Sequence, residues 1–240
     1  MNSLPGALTV DARPATFDFE PSTTAVIVVD MQNDFGHPAG MFGRAGIDLT
    51  GIRATIEPTA RVLDAARAIG MPVIFLKMAF KADLSDAGAP NAPNWLKHLP
   101  MKAGDKTTSP AGAPSRVLIR DTWNTDIIDE LPLGPDDVTV YKHRFSGFFE
   151  TNLHDLLQAR GITHLVFVGC TTSVCVESTV KDAMFRDYHC LILEDCVDEA
   201  IGDGLPRSNH EASLLVMELL VGWISDSRAL LAALSPPSGQ

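Results

Sequence analysis

HLVFVGCTTSVCVEST, residues 164–179, decides how this chain is read. Its first six residues form an apolar run short enough for a strand and apolar enough to be buried on both faces. Gly169 interrupts the run, and from about Val174 to Asp187 the pattern becomes helical. A buried strand that turns straight into a helix is half of a βαβ unit, the building block of a parallel sheet covered by helices. The turn itself, Gly169 to Val174, gathers successive backbone N–H groups at the end of a strand.

Outward from that segment the same alternation recurs. Further strands are expected at Ala25 to Val29 (AVIVV), Val73 to Lys77 (VIFLK), Val138 to Lys142 (VTVYK) and His189 to Leu193 (HCLIL). Helices are expected where start and stop residues bracket a periodic segment. Pro58 and Gly70 bracket Thr59 to Ile69, and Thr151 and Gly161 bracket Asn152 to Arg160. Ser208 opens an apolar-striped helix through Leu220, and Asp226 or Ser227 opens the last, ending at Leu234. Connections of this length make right-handed crossovers. The expected fold is α/β, a three-layer α/β/α arrangement around a central, mostly parallel sheet.

One stretch breaks the rhythm. Residues 78–120 are rich in Ala, Gly, Pro, Asp and Lys, and read as a lid-like insertion within a single domain spanning residues 1–240. PNAPNW at 90–95, followed by Lys97 and His98, marks the lid itself. The tail SPPSGQ, 235–240, is expected to fray.

Composition excludes several classes of function. With 45% hydrophobic and 20% charged residues in 240, the chain is expected to be ordered and to bury a large core. A net charge of −11 repels polyanions, so nucleic acid is not an expected partner. The longest apolar stretch, Leu214 to Ile224, is interrupted by Glu218 and falls short of the roughly 20 residues a membrane span needs. Met1 to Phe17 lacks the pattern of a secretory signal, which leaves the cytoplasm as the expected compartment. Cys170, Cys175, Cys190 and Cys196 are then expected as free thiols. No Cys-x-x-Cys or His-x-x-x-His pair occurs, and His37, His98 and His143 lack metal-binding spacing, so neither a metal nor a cofactor is expected.

Open parallel sheets bind ligands beyond the carboxyl ends of their strands. Asp30 stands at the end of the first expected strand, Lys142 at the end of the third, and Cys175 just after the fourth. Singly, they read as a turn residue, a surface lysine and a small core side chain. Together they place an acid, an amine and a thiol on one sheet edge. A thiol at a helix N-terminus beside a cation is expected to have a lowered pKa and to act as a nucleophile. Asp30 would take its proton and return one to a leaving nitrogen, with Lys142 holding the charges in register. Backbone N–H groups of the 169–174 turn would stabilise an oxyanion.

DMQNDF (30–35), KHRFSGFFETNL (142–153) and GCTTSVCVEST (169–179), each following a strand, resemble the signatures of the isochorismatase-like cysteine hydrolases, in their amidohydrolase branch. The resemblance runs from about Asp18 to Leu234. It implies an Asp30–Lys142–Cys175 triad, a cis peptide at Cys170–Thr171, an oxyanion hole from the backbone amides of Thr171 and Cys175, and a homo-oligomer, dimer or tetramer. The Asp-x-His pattern of zinc-bearing nicotinamidases in this family is absent from Lys77 to Asp86. SGFF, HLVFVG, VCVEST and GWISD are similar to ureidoacrylate amidohydrolases, with biuret and triuret hydrolases also close.

Phe35, Phe145 and Met78 stand where the ureidoacrylate pattern carries aromatic hydroxyls or an amide. A pocket without those donors is expected to read a different ureide end, so triuret or biuret is the first expectation for the small-molecule ureide substrate and ureidoacrylate the second. Gln32, Asn33 and Asn94 are candidate contacts to a urea group, and Phe35, Trp95 and Phe145 candidate walls. Two rivals remain. Vinyl-ether hydrolysis of isochorismate is hosted by relatives that lack the cysteine, and a thiol-pair binding or redox protein using Cys170 and Cys175 would be indifferent to Lys142→Ala.

Overall fold

The computed structural model describes residues 6–201 and 208–235. Six strands, β1 (Thr24–Val29), β2 (Val73–Met78), β3 (Val138–Lys142), β4 (His164–Cys170), β5 (His189–Asp198) and β6 (Trp223–Ser225), form one sheet in the order β6-β5-β4-β1-β2-β3. Every pairing in it is parallel. Because side chains alternate along a strand, each strand feeds two cores. Val26, Val28, Phe75, Val166 and Val168 enter one, which also holds Val62, Leu63 and Ala66 of α1 (Ile56–Ala68). Ile27, Val29, Ile74, Leu76, Leu165 and Phe167 enter the other.

Between β2 and β3 lies a short helix, α2 (Pro93–His98). The second core is closed by α3 (Leu153–Ala159), α4 (Glu177–Met184) and Met217 of α5 (Asn209–Leu220), while Leu230 and Leu234 of α6 (Ser227–Leu234) close the first. The Ser208 and Asp226 side chains cap their helices by accepting from Glu211 N at 3.1 Å and Ala229 N at 2.8 Å. Thr151 accepts from Leu153 N at 3.2 Å, and Asn152 occupies the cap position. On α5, whose apolar stripe suggested a buried face, Leu215, Leu219 and Leu220 are exposed. The 236–240 tail lies outside the described residues.

Two features of the sheet depart from expectation. β5 runs through Asp198, because its pairing with β4, shifted in register between Phe167 and Gly169, resumes at Val197 and Asp198 beyond the Glu194–Asp195 break in the apolar pattern. β6 has three residues, too few for periodicity to register, and its outer edge pairs with Arg13, whose N–H and C=O bond Ile224 at 2.7 and 2.9 Å.

The insertion is not structureless. It contains α2 and an antiparallel hairpin of Lys106–Thr108 with Pro114–Arg116. The Asp34 carboxylate, from the DMQNDF segment, accepts from Leu118 N at 2.7 Å, Met41 N at 3.0 Å and the Asn124 side chain. The Arg116 guanidinium donates to Gly104 O and Ala82 O. This order comes from turns and polar anchors, which leave no apolar period to read.

The chain order reverses between β1 and β4, and the two strands meet closely at Gly169. Its φ is +113°, and a Cβ there would lie 2.1 Å from Val29 O. Gly169→Ala is therefore expected to destabilise the fold by about 3 kcal/mol, from the left-handed backbone and the forced separation of β1 and β4. Urea denaturation checks this; an unchanged midpoint would mean that the strands part without cost.

Candidate active site

Asp30 follows β1 directly and holds a φ of +52°, a left-handed conformation uncommon outside glycine and frequent at functional turns. Lys142, the last residue of β3, reaches across β2 to place Nζ 2.7 Å from Asp30 Oδ2. The two side chains are 0% and 1% exposed, so the pair is wholly removed from water. Cys175 sits within a five-residue π-helical turn, Thr172–Val176, between β4 and α4. The Cys170–Thr171 peptide that precedes it is cis.

Three groups of hydrogen bonds, centred on Thr171 O, Glu199 and Thr179, hold that turn. Thr171 O accepts from both Val174 N and Val176 N, at 3.1 and 3.2 Å. The buried Glu199 carboxylate accepts from Ser173 N at 2.9 Å, from the Ser173 hydroxyl, and from Ile201 N at 2.8 Å. The Thr179 hydroxyl donates to Cys175 O at 2.6 Å and accepts from Gly147 N at 3.0 Å. That last pair ties the cysteine turn to the loop that follows Lys142.

The electrostatics correct one expectation. Burial pushes the Cys175 thiol up, and the opposing pull of Lys142 does not overcome it. The negative charge of Asp30 pushes in the same direction as burial. A helix-end cysteine beside a lysine was expected to be acidic; here desolvation wins and the resting group is a thiol. Burial also raises the Asp30 carboxyl, against the attraction of Lys142. Burial opposes the charge on Lys142, yet Asp30 and Cys175 together keep its pKa raised and the side chain a cation.

Asp30, Cys170, Thr171 and Cys175 line the polar end of a narrow cavity of about 30 Å³. Phe35 and Phe145, expected as walls, line it, together with Phe42, Met78, Met101, Leu118, Val174 and Ile201. Four expected substrate contacts do not. Gln32 is fully buried and donates to Met78 O at 3.0 Å; Asn33 donates to Trp123 O at 2.8 Å; and Asn94 donates to Ala87 O at 2.9 Å. Their amides hold neighbouring backbone carbonyls and so shape the walls from behind. Trp95 packs edge-on against Phe80, 6.4 Å between ring centres.

Beside this cavity, and sharing Phe42, Met101 and Ile201 with it, is a wider opening of about 510 Å³ whose charged lining, among the described residues, is Arg44, Lys102, Lys106 and one acid, Asp105. These cations, and His98 on the cavity wall, were not singled out as substrate contacts from the sequence. His98, Lys102 and Lys106 belong to the insertion, whose folding brings them to the site, and Arg44 ends the short helix Met41–Arg44. Among the described residues no group of three or more His, Cys, Asp and Glu is arranged to hold a metal.

The Isochorismatase domain model matches residues 24–229, and the chain belongs to that family. It is 38% identical to the ureidoacrylate amidohydrolase RutB of Methylobacterium radiotolerans, over 97% of this chain and 88% of that protein. It is 40% identical to the protein of the same name from Agrobacterium fabrum, over 91% and 92% of the two chains. Among solved structures, a cysteine hydrolase from Pseudomonas syringae pv. phaseolicola superposes with a TM-score of 0.75 at 26% identity, covering 90% of this chain and 94% of that one. The N-carbamoylsarcosine amidase of Thermoplasma acidophilum gives a TM-score of 0.62 at 25% identity, covering 85% and 96%.

Proposed function

We propose that this chain is a cysteine amidohydrolase that cleaves a C–N bond of a small ureido acid, of which ureidoacrylate is the favoured example, with Asp30, Lys142 and Cys175 as its catalytic triad. The observation that carries the reading is that Asp30 and Cys175 line one narrow cavity, with the Lys142 ammonium 2.7 Å from the Asp30 carboxylate, and that this cavity adjoins a cation-lined opening. Asp30 accepts the thiol proton as sulfur attacks the ureido carbonyl carbon. The carbonyl oxygen gathers negative charge, which the N–H groups of Thr171 and Cys175 stabilise. Collapse of this intermediate breaks the C–N bond, and Asp30 returns the proton to the departing nitrogen. The remaining carbamoyl group stays on sulfur as a thiocarbamate until a water, deprotonated by Asp30, displaces the sulfur, which takes the proton back from Asp30. Lys142 keeps its charge throughout and balances whichever of carboxylate and thiolate is ionised.

Triuret and biuret stood first from the sequence because no carboxylate-binding group was legible near Phe35, Phe145 and Met78. The curated relatives favour ureidoacrylate instead, and Arg44, Lys102 and Lys106 give an anionic end somewhere to go, where a neutral oligourea would gain nothing from them. Ammonia release from ureidoacrylate, N-carbamoyl amino acids, biuret, triuret and nicotinamide tests the assignment. Turnover confined to the neutral ureides would reverse it. Reversing two exposed charges, Arg44→Glu with Lys102→Glu, is expected to raise KM for ureidoacrylate about 10-fold while leaving kcat nearly unchanged. Steady-state kinetics at low and high salt would check the effect, which should shrink as salt screens the opening.

A further inference from the structure

The lid helix α2 ends in a histidine that the reaction scheme above does not use. His98 is 2% exposed and lines the same cavity as Cys175 and Asp30. On the lid side its companions, Phe42, Met101, Leu118 and Phe145, are all apolar. Its Nδ1 lies 2.7 Å from Asn94 O. A peptide carbonyl only accepts hydrogen bonds, so Nδ1 carries the ring hydrogen. Burial pushes the imidazole below its ordinary value, and the positive charges of Lys142 and Arg144 act in the same direction, against the Asn94 carbonyl. A second proton is thereby disfavoured and Nε2 keeps a bare lone pair. The ring cannot swing away, since it sits between Phe80, edge-on at 5.4 Å, and Phe145 at 5.5 Å. Among the described residues, no hydrogen-bond partner reaches Nε2.

An oriented acceptor in an apolar wall selects for a donor. A carboxylate or carbonyl oxygen placed there would set lone pair against lone pair, whereas an N–H would satisfy both sides. We propose that His98 is a specificity-determining residue that accepts a hydrogen bond from a ureide N–H of the substrate at Nε2, so that the lid reads the nitrogen end while the cationic opening takes the anionic one. The inference rests on the amidohydrolase reading for the identity of that N–H.

Two measurements test it separately from that reading. In Cys175→Ala protein labelled with ¹⁵N-histidine, with His98 assigned by comparison with His98→Phe, Nε2 is expected to resonate as an unprotonated nitrogen and to shift when 3-ureidopropanoate is added. A protonated Nε2 in the free protein, or one that the ligand leaves unmoved at any concentration, overturns the inference. In the kinetic arm, kcat/KM for the ureido acid is compared with that for two isosteres, one with the bridging N–H replaced by oxygen and one with the terminal NH₂ replaced by methyl. His98→Phe, which keeps the ring stacking, is expected to reduce at least one of these preferences about 5- to 10-fold, the scale of one neutral hydrogen bond. His98→Gln, which retains an acceptor near the Nε2 position, should preserve it. If both preferences survive in His98→Phe, the inference fails although ureide hydrolysis stands. If Nε2 responds but the wild type hydrolyses no ureide, the amidohydrolase reading fails and the contact stands.

Discussion

Lys142→Met is expected to cost the fold about 3 to 5 kcal/mol, the scale of breaking one side of a buried ion pair. Methionine fills much the same volume, so packing accounts for little of this. The loss comes from Asp30, which is 1% exposed and would face an apolar side chain in place of an ammonium 2.7 Å away. The deficit should depend on pH, with a definite sign. Burial already holds the Asp30 carboxyl above its ordinary value despite the lysine, and removing the lysine raises it further. A carboxyl whose folded pKa exceeds its unfolded one stabilises fully below the unfolded value and loses that contribution as pH rises through the folded value. The variant should thus approach wild-type stability in acid and fall away toward neutral pH. Denaturant titrations across pH, with Lys142→Met/Asp30→Asn as the neutral counterpart, check it. A deficit that is flat with pH, or that persists in the double variant, would place the cost in packing and not in charge.

How much of this was readable in advance follows from what each feature is made of. The central strands were legible because each is a short apolar run bounded by turn residues, and the helices because Pro58, Gly161, Ser208 and Asp226 punctuate them. Asp30, Lys142 and Cys175 were legible as a group because strand ends in a parallel sheet converge by geometry. The walls were not. Gln32, Asn33 and Asn94 look like substrate ligands in sequence, but an amide is equally suited to holding a buried carbonyl, and the structure uses all three in that way. The insertion hid its order, because Asp34 and Arg116 fix it through backbone groups that no residue pattern announces. The acidity of Cys175 was misread for a related reason. Sequence reveals the cation and the helix, both of which lower a thiol pKa, but it does not reveal the desolvation, which here exceeds them.

That raised thiol sharpens the test of the mechanism. Cys175→Ser is expected to reduce kcat/KM for any turned-over ureide by at least about 10³-fold while leaving the melting temperature nearly unchanged, since oxygen replaces sulfur at a buried but small position. A hydroxyl is a far harder group to deprotonate than a thiol, and in this cavity the same burial that raises Cys175 would raise it further. The resting thiol also predicts sluggish alkylation by a small neutral reagent such as iodoacetamide in free enzyme, because the reactive thiolate is scarce until a proton can move to Asp30. Asp30→Asn should depress acylation, because it removes the base that takes the thiol proton, even though it also removes a charge that holds the thiol up; a protein that used Cys170 and Cys175 as a redox pair would not depend on that base. Turnover within about tenfold of wild type in Cys175→Ser would remove sulfur from the chemistry. Rapid alkylation at neutral pH would instead mean that Lys142, and not desolvation, governs the thiol, so that the nucleophile stands ionised before substrate arrives.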